Sequence, residues 1–161
     1  MVVSRFGVMF FDDPVAAFAN LRAATRSGGR LAFVCWRDPA SNPFMGVAER
    51  AAGPLLPDLE PAQPAASGPF AFADPDRLRA ILDAGGWGSV TITPVDVPCA
   101  LARDALKPYL TRMGPIARVL PTLDDQTRTR VVAAILEAAE EYVVDDEARY
   151  TAACWMVNAR A

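Results

Sequence analysis

Val2-Val3-Ser4-Arg5-Phe6-Gly7-Val8-Met9-Phe10-Phe11-Asp12-Asp13-Pro14 opens the chain, and Ser27-Gly28-Gly29-Arg30-Leu31-Ala32-Phe33-Val34-Cys35-Trp36 follows a short helical stretch later. The first segment begins as an apolar strand. Asp13 is a suitable helix N-cap, because its carboxylate can accept from the free N–H groups of the first turn, and Pro14 fits the first helical position. Val15, Phe18 and Leu21 recur at helical spacing, with Ala17 and Ala24 beside them, which predicts a helix to Arg26. Gly28-Gly29 then reads as its C-terminal cap. The stretch 31–36 is almost wholly apolar, which predicts a strand covered on both faces, as in a parallel sheet. The result is a β–α–β unit starting at the second residue. Such a unit normally lies inside an α/β domain, so the expectation is the later part of a larger fold.

The same grammar continues outward. Asn42-Pro43-Phe44-Met45 predicts a helix to about Ala52, and a Pro/Ala-rich stretch runs from Gly53-Pro54 to Gly68-Pro69. Residues 39–73 are read as a lid or long-loop insertion in a single domain covering 1–161, since the β/α rhythm resumes afterwards. Asp74-Pro75 predicts a second capped helix with Leu78, Ile81 and Leu82 on one face, ended by Gly85-Gly86. Residues 90–97 alternate as a strand, and Pro94 places it at an edge or a bulge. Helices are predicted over 104–113 and 123–143. The second starts at Thr122-Leu123-Asp124-Asp125 and carries the stripe Val131, Val132, Ile135, Leu136, Ala139 and Tyr142. A final strand is predicted over 148–157.

Composition narrows the chemistry. Of 161 residues, 52% are apolar, which is enough for a real core and argues against disorder. The net charge of −3 leaves no basic footprint for a phosphate backbone, so nucleic acid is not an expected partner. No apolar run reaches membrane-spanning length, and no secretory leader is evident, so a cytoplasmic protein is expected. Cys35, Cys99 and Cys154 are odd in number and far apart, which argues against disulfides and structural zinc and favours buried thiols. Histidine is absent, which removes the commonest general base and most nucleophile pairs. Glu137, Glu140, Glu141, Asp145 and Asp146 form an acidic run that reads as a solvated face rather than a metal site.

The glycine doublets are not phosphate loops. Such a loop runs strand, glycines, helix, whereas both doublets here run helix, glycines, strand, and no G-x-G-x-x-G occurs. The better candidates lie beyond the carboxyl ends of the strands, where ligands meet open α/β sheets. After the first strand, Arg5 supplies charge, Gly7 allows close approach, and Phe10 and Phe11 supply apolar walls. The alternative is that the two phenylalanines are core and Arg5 is solvated. After the second strand stand Trp36, Arg37 and Asp38, then Asn42 and Phe44. Trp36 reads equally as packing on the sheet.

The string 2–14, with Ala17-Phe18-Ala19-Asn20-Leu21-Arg22 and Ser27-Gly28-Gly29-Arg30-Leu31, resembles class I S-adenosylmethionine-dependent methyltransferases, in particular the small-molecule subgroup related to ubiquinone and menaquinone biosynthesis. Asn42-Pro43-Phe44 and the closing region 149–157 also resemble that subgroup, while Ser27 stands where the family usually has proline. The resemblance implies an α/β fold: a partial Rossmann-like sheet of the family's strands four, five, seven and six, flanked by helices, with a lid-like insertion. It implies S-adenosylmethionine as cofactor and a small-molecule methyl acceptor. Ser4, Arg5, Phe6 and Gly7 would contact the cofactor, and Phe11, Trp36, Arg37, Asn42 and Phe44 would face the substrate. It names no catalytic residue and no metal ligand. The family's glycine-rich loop and ribose-binding acidic residue have no match in these residues, so a truncated methyltransferase is expected. Its first strand would then be an open edge favouring a homodimer. A non-catalytic dimerising α/β fragment without cofactor binding is the alternative. Part of a nicotinamide-dependent dehydrogenase is a third reading, and it predicts no antiparallel last strand.

Overall fold

A computed structural model describes residues 1–57 and 67–161. Residues 58–66 of the expected lid lie outside the described residues. The fold is mixed α/β, a five-stranded sheet with flanking helices. The chain divides into two compact units. One takes in 1–41, 67–97 and 152–161, and the other 42–57 and 98–151. The expected insertion 39–73 is therefore shared out: its described residues 39–41 and 67–73 belong to the first unit, and 42–57 to the second.

The first unit opens with β1 (Val2–Arg5), α1 (Pro14–Ala23) and β2 (Arg30–Trp36). β1 and β2 are parallel, with Val2 opposite Leu31 and Arg5 opposite Val34. The Asp13 carboxylate accepts from the Ala16 N–H at 2.9 Å, so the cap forms where the sequence places it. α1 ends earlier than predicted, at Ala23, and its C-cap is Ala24 in an ordinary right-handed conformation. The Thr25 hydroxyl donates to the Leu21 carbonyl at 2.7 Å and closes the last turn. Gly28 and Gly29 are thus not the cap. The Gly28 N–H donates to the Ala161 carbonyl, and Ala161 N–H donates to Gly29, which ties this turn to the chain's last residue. Gly28 has φ +72°, a conformation that costs glycine little.

β2 also departs from expectation. Leu31, Phe33 and Cys35 are buried, while Ala32, Val34 and Trp36 on the other face are only half-buried. Both helices of this unit lie on the first face. Phe18 of α1 stacks on Phe33 at 5.6 Å, and Leu78, Ile81 and Leu82 of the helix over Pro75–Ala84 join the cluster containing Leu31. Continuous apolarity therefore marks one fully covered face and one partly open face. On α1 itself Phe18 is fully buried and Leu21 half-buried, whereas Val15 is exposed.

In the second unit, α2 (Val47–Ala52) follows a 3₁₀ turn over Pro43–Gly46, so the predicted helix from Asn42 is two short pieces. In the first unit, α3 (Pro75–Ala84) is capped by Asp74, whose carboxylate accepts from the N–H groups of Asp76 and Arg77. Its end is a Schellman arrangement: the Trp87 N–H reaches the Leu82 carbonyl, the Gly86 N–H reaches Asp83, and Gly86 has φ +80°. β3 (Gly88–Ala102) is longer than predicted and continues into the second unit. With β5 (Glu147–Arg160) lying between β2 and β3, the sheet order β1-β2-β5-β3 leaves β3 at an edge, where Pro94 is tolerated.

The second unit continues with α4 (Arg103–Arg112), α5 (Gly114–Val119), α6 (Asp125–Ala139) and β4 (Val143–Val144). The Asp124 carboxylate caps α6 through the Thr127 N–H at 2.9 Å, and α6 buries Val131, Ile135 and Ala139 while packing against α2. β4 turns into β5 (Glu147–Arg160) through Asp145 and Asp146, both at positive φ, as a two-residue type I′ hairpin loop requires. β5 runs antiparallel to β2, with Cys35 opposite Trp155 and Leu31 opposite Ala159.

Candidate functional site

The sheet of the first unit sets up the candidate site, because β1 and β2 are parallel and end side by side. β1 stops at Arg5, and the chain turns at Phe6, whose N–H donates to the Val34 carbonyl at 3.1 Å. Phe6 has φ +55°. That left-handed conformation crowds Cβ against the backbone and costs a bulky residue about 1–2 kcal/mol. Its ring stacks on Trp36 at the end of β2, with centroids 4.3 Å apart and planes 14° from parallel. Gly7, the glycine singled out in the sequence, has an ordinary φ of −109°. A Cβ there would sit 3.2 Å from the Ser4 hydroxyl, so Gly7 serves the close fold-back of this turn onto Ser4. Arg5 is exposed.

Beyond the turn, Val8 and Met9 are buried, Phe10 is exposed, and Phe11 packs edge-on against Phe18 at 6.0 Å. Phe11 thus belongs to the core cluster's rim, and Phe10 is not a core residue.

Arg37 follows Trp36 and is held on several sides. Its Nη1 donates to the Asp96 carboxylate at 2.8 Å, its Nη2 lies 3.4 Å from the Ser41 hydroxyl, and its guanidinium sits over the Trp155 ring at 5.5 Å. The Arg37 backbone N–H donates to Ala153. The Ser41 hydroxyl and N–H both donate to Asp38, and these bonds hold the Asp38 carboxyl below its usual range. Trp155 in turn donates its indole N–H to the Ala73 carbonyl at 2.9 Å. Trp36 and Arg37 are neighbours in sequence, but strand alternation sends their side chains to opposite sides of β2. Trp36 meets Phe6, while Arg37 meets Trp155, which pairs with the buried-face Cys35.

Asn42 and Phe44 belong to the second unit. Both are buried, and Phe44 is the centre of an aromatic cluster there. It stacks on Tyr150 at 4.0 Å and Tyr109 at 5.9 Å, and meets Tyr142 edge-on at 5.1 Å. Burial, with Tyr109 and Cys99 adding to it, pushes the Tyr150 phenol up to about 12, and burial also raises Tyr142. Nothing in the sequence pattern linked these three tyrosines, because they come from separate elements.

Two surface cavities lie in the second unit. One, of about 400 Å³, is lined by Ala102, Arg103, Asp104 and Asp146. The other, of about 370 Å³, is lined by Pro98, Cys99, Ala100, Arg149, Tyr150 and Thr151. None of the residues expected to contact cofactor or substrate lines either. The acidic run around 140–147 is exposed and paired, Glu140 with Arg103 at 2.7 Å and Asp145 and Glu147 with Arg149. Among the described residues no group of three or more His, Cys, Asp or Glu side chains could hold a metal ion, and no helix is long and apolar enough to cross a membrane.

This sheet and its helices form a methyltransferase fold. The chain superposes on a Bacillus halodurans protein provisionally assigned as a methyltransferase, at a TM-score of 0.50 and 15% identity, over 99% of this chain and 68% of that one. It also matches phosphoethanolamine N-methyltransferase 2 of Haemonchus contortus, solved with phosphomonomethylethanolamine and S-adenosylhomocysteine. That match has a TM-score of 0.42 and 12% identity, over 99% of this chain and 32% of that one. No protein-family profile matches the sequence, and no curated protein does.

Proposed function

We propose that the chain is part of an S-adenosylmethionine-dependent methyltransferase acting on a small molecule, of the ubiquinone- and menaquinone-related kind that its opening residues resemble. The observation that carries this reading is β5, which runs antiparallel to β2 and is inserted between β2 and β3. The dehydrogenase reading predicts no such strand. Methyl transfer suits a chain without histidine, because aligning the electrophilic methyl with its acceptor supplies much of the acceleration.

The fit of the cofactor to the residues present is partial. S-adenosylmethionine carries an amino-acid end, a sulfonium and a ribose with adenine. The strip Ser4–Gly7 offers one exposed guanidinium, that of Arg5, to the carboxylate of the amino-acid end. The Phe6 N–H and one face of its ring are already engaged by Val34 and Trp36. These residues suit one end of the cofactor and not the whole of it, so we assign no reaction step to them.

A second reading, a dimerising module without cofactor binding, is favoured by β1. Among the described residues it pairs only with β2 and lies at the sheet edge, and Val3 is 68% exposed. It carries no proline or lysine to discourage pairing with a second copy. Titration calorimetry of the 161-residue chain with S-adenosylmethionine separates the two. Micromolar binding supports the enzymatic reading. No heat at millimolar cofactor, with a light-scattering mass of two chains that falls to one in Val3→Lys, supports the module.

A further inference from the structure

The sheet of the first unit has a second face that its own helices leave open. Strand alternation and the paired register put Val3, Ala32, Val34 and Met156 on that face, away from the buried Leu31, Phe33 and Cys35. Val3 lies opposite Ala32 and Met156 opposite Val34, so the four form one patch across β1, β2 and β5. Ala32, Val34 and Met156 are only half-buried, and Val3 is exposed. A sheet face turned to water ordinarily alternates to polar residues at such positions.

The charges on this face are all of one sign. Arg5, opposite Val34, and the pair Arg30 and Arg160 share it, and all three are exposed. Arg30 stands directly opposite Arg160, an arrangement that opposes folding because like charges confront each other. Among the described residues none of the three is in an ion pair. No Asp or Glu occurs in β1 or in the paired stretches 30–36 and 154–160 of β2 and β5. The chain as a whole carries −3, so the positive rim is a local departure from its overall charge.

We propose that this face docks an acidic amphipathic helix of a separate protein. Neighbouring strands lie about 4.8 Å apart, so β1, β2 and β5 together span about 10 Å, the width of one helix. From the Arg30–Arg160 pair to Arg5 is about 13 Å along the strands, or roughly nine residues of helix. A helix with an apolar stripe and carboxylates near both ends of it covers the patch and pairs the arginines. A second copy does not fit the face in this way. Face to face, it would bring the arginines of both copies into one interface with no carboxylate on the face to pair them. The surface needs neither the cofactor nor pairing along the β1 edge, so it stands apart from both readings above.

The probe is a fluorescein-labelled helical peptide with leucines along one face and glutamates flanking them. Its counterpart carries lysines in place of the glutamates. Both are titrated into the full chain and followed by anisotropy. The expected result is saturable binding of the glutamate peptide, about tenfold tighter than of the lysine peptide. Arg30→Glu/Arg160→Glu should reverse the preference, with a circular dichroism spectrum like that of the wild type because both positions are exposed. Arg118→Glu/Arg130→Glu makes the same charge change at exposed positions of the second unit and should leave the preference in place. Equal affinity for the two peptides, or a preference that survives Arg30→Glu/Arg160→Glu, overturns the proposal. So does a preference lost equally in Arg118→Glu/Arg130→Glu, which would make it a property of net charge alone. Binding to phosphatidylserine vesicles without binding of the peptide, or a dimer by light scattering whose formation excludes the peptide, overturns it as well.

Discussion

Cys35 offers a sharp test of how the first unit is packed. Its thiol is fully buried on the covered face of β2, and burial, with Cys154 adding to it, pushes its pKa from 9.0 up to about 12. An unfolded chain loses this proton near pH 9, while the folded chain keeps it to about 12. Above pH 9 the unfolded state therefore binds fewer protons. The stabilisation is complete below pH 9 and is lost as pH rises, at a limiting slope of about 1.4 kcal/mol per pH unit. Integrated from pH 9 to pH 10, with the onset of titration included, this thiol should remove about 1 kcal/mol of stability. Urea unfolding at both pH values, for the wild type and for Cys35→Ala, isolates the term. The variant has a different absolute stability but should lack this part of the pH dependence. Alkylation gives an independent readout. At pH 9 about one native Cys35 in a thousand is thiolate, against half in the unfolded chain, so iodoacetamide should label it several hundred-fold more slowly than in urea. The half-exposed Cys99 serves as the internal comparison. Parallel pH dependence in the two proteins, or native labelling of Cys35 within tenfold of the unfolded rate, refutes the argument.

Two further outcomes follow from the same unit. Phe18 is fully buried and touches Phe11, Phe33 and Phe72, so Phe18→Ala should cost about 3–5 kcal/mol by denaturant unfolding. Asp74→Ala removes the acceptor for two backbone N–H groups at the start of α3 and should cost about 1 kcal/mol, whereas Asp74→Asn should retain most of that in the same assay.

The starts of elements were more legible than their ends. Asp13-Pro14 and Asp74-Pro75 each begin a helix as read, because a cap is a short-range hydrogen bond between residues two or three apart, whereas the helix predicted from Leu123 starts at Asp125 with Asp124, not Thr122, as its cap. The end of α1 was misplaced. Thr25 folds its hydroxyl back onto Leu21, and Gly28-Gly29 is recruited by Ala161 from the far end of the chain, a long-range bond that no local pattern encodes. For the candidate site, Phe6 and Trp36 were both selected from the sequence, but for different partners. Their stacking depends on the parallel register of β1 and β2, and on a left-handed turn at the residue before Gly7. Asn42 and Phe44 were selected as substrate-side residues. In the structure Phe44 stacks in a cluster with Tyr109, Tyr142 and Tyr150, residues from separate elements of the second unit.

By itself the sequence determined the β–α–β opening, the capped starts of the first two helices, an edge or bulge position for the strand containing Pro94 and the resemblance to methyltransferases. All of these rest on local preference and on periodicities set by backbone geometry. Tertiary structure alone decided that the chain forms two units, that β2 is fully covered on one face and partly open on the other, and that Trp36 and Arg37 serve different neighbours. The physical reason is that burial and side-chain pairing depend on which elements pack together. An apolar residue records that some surface is to be covered, not which element covers it.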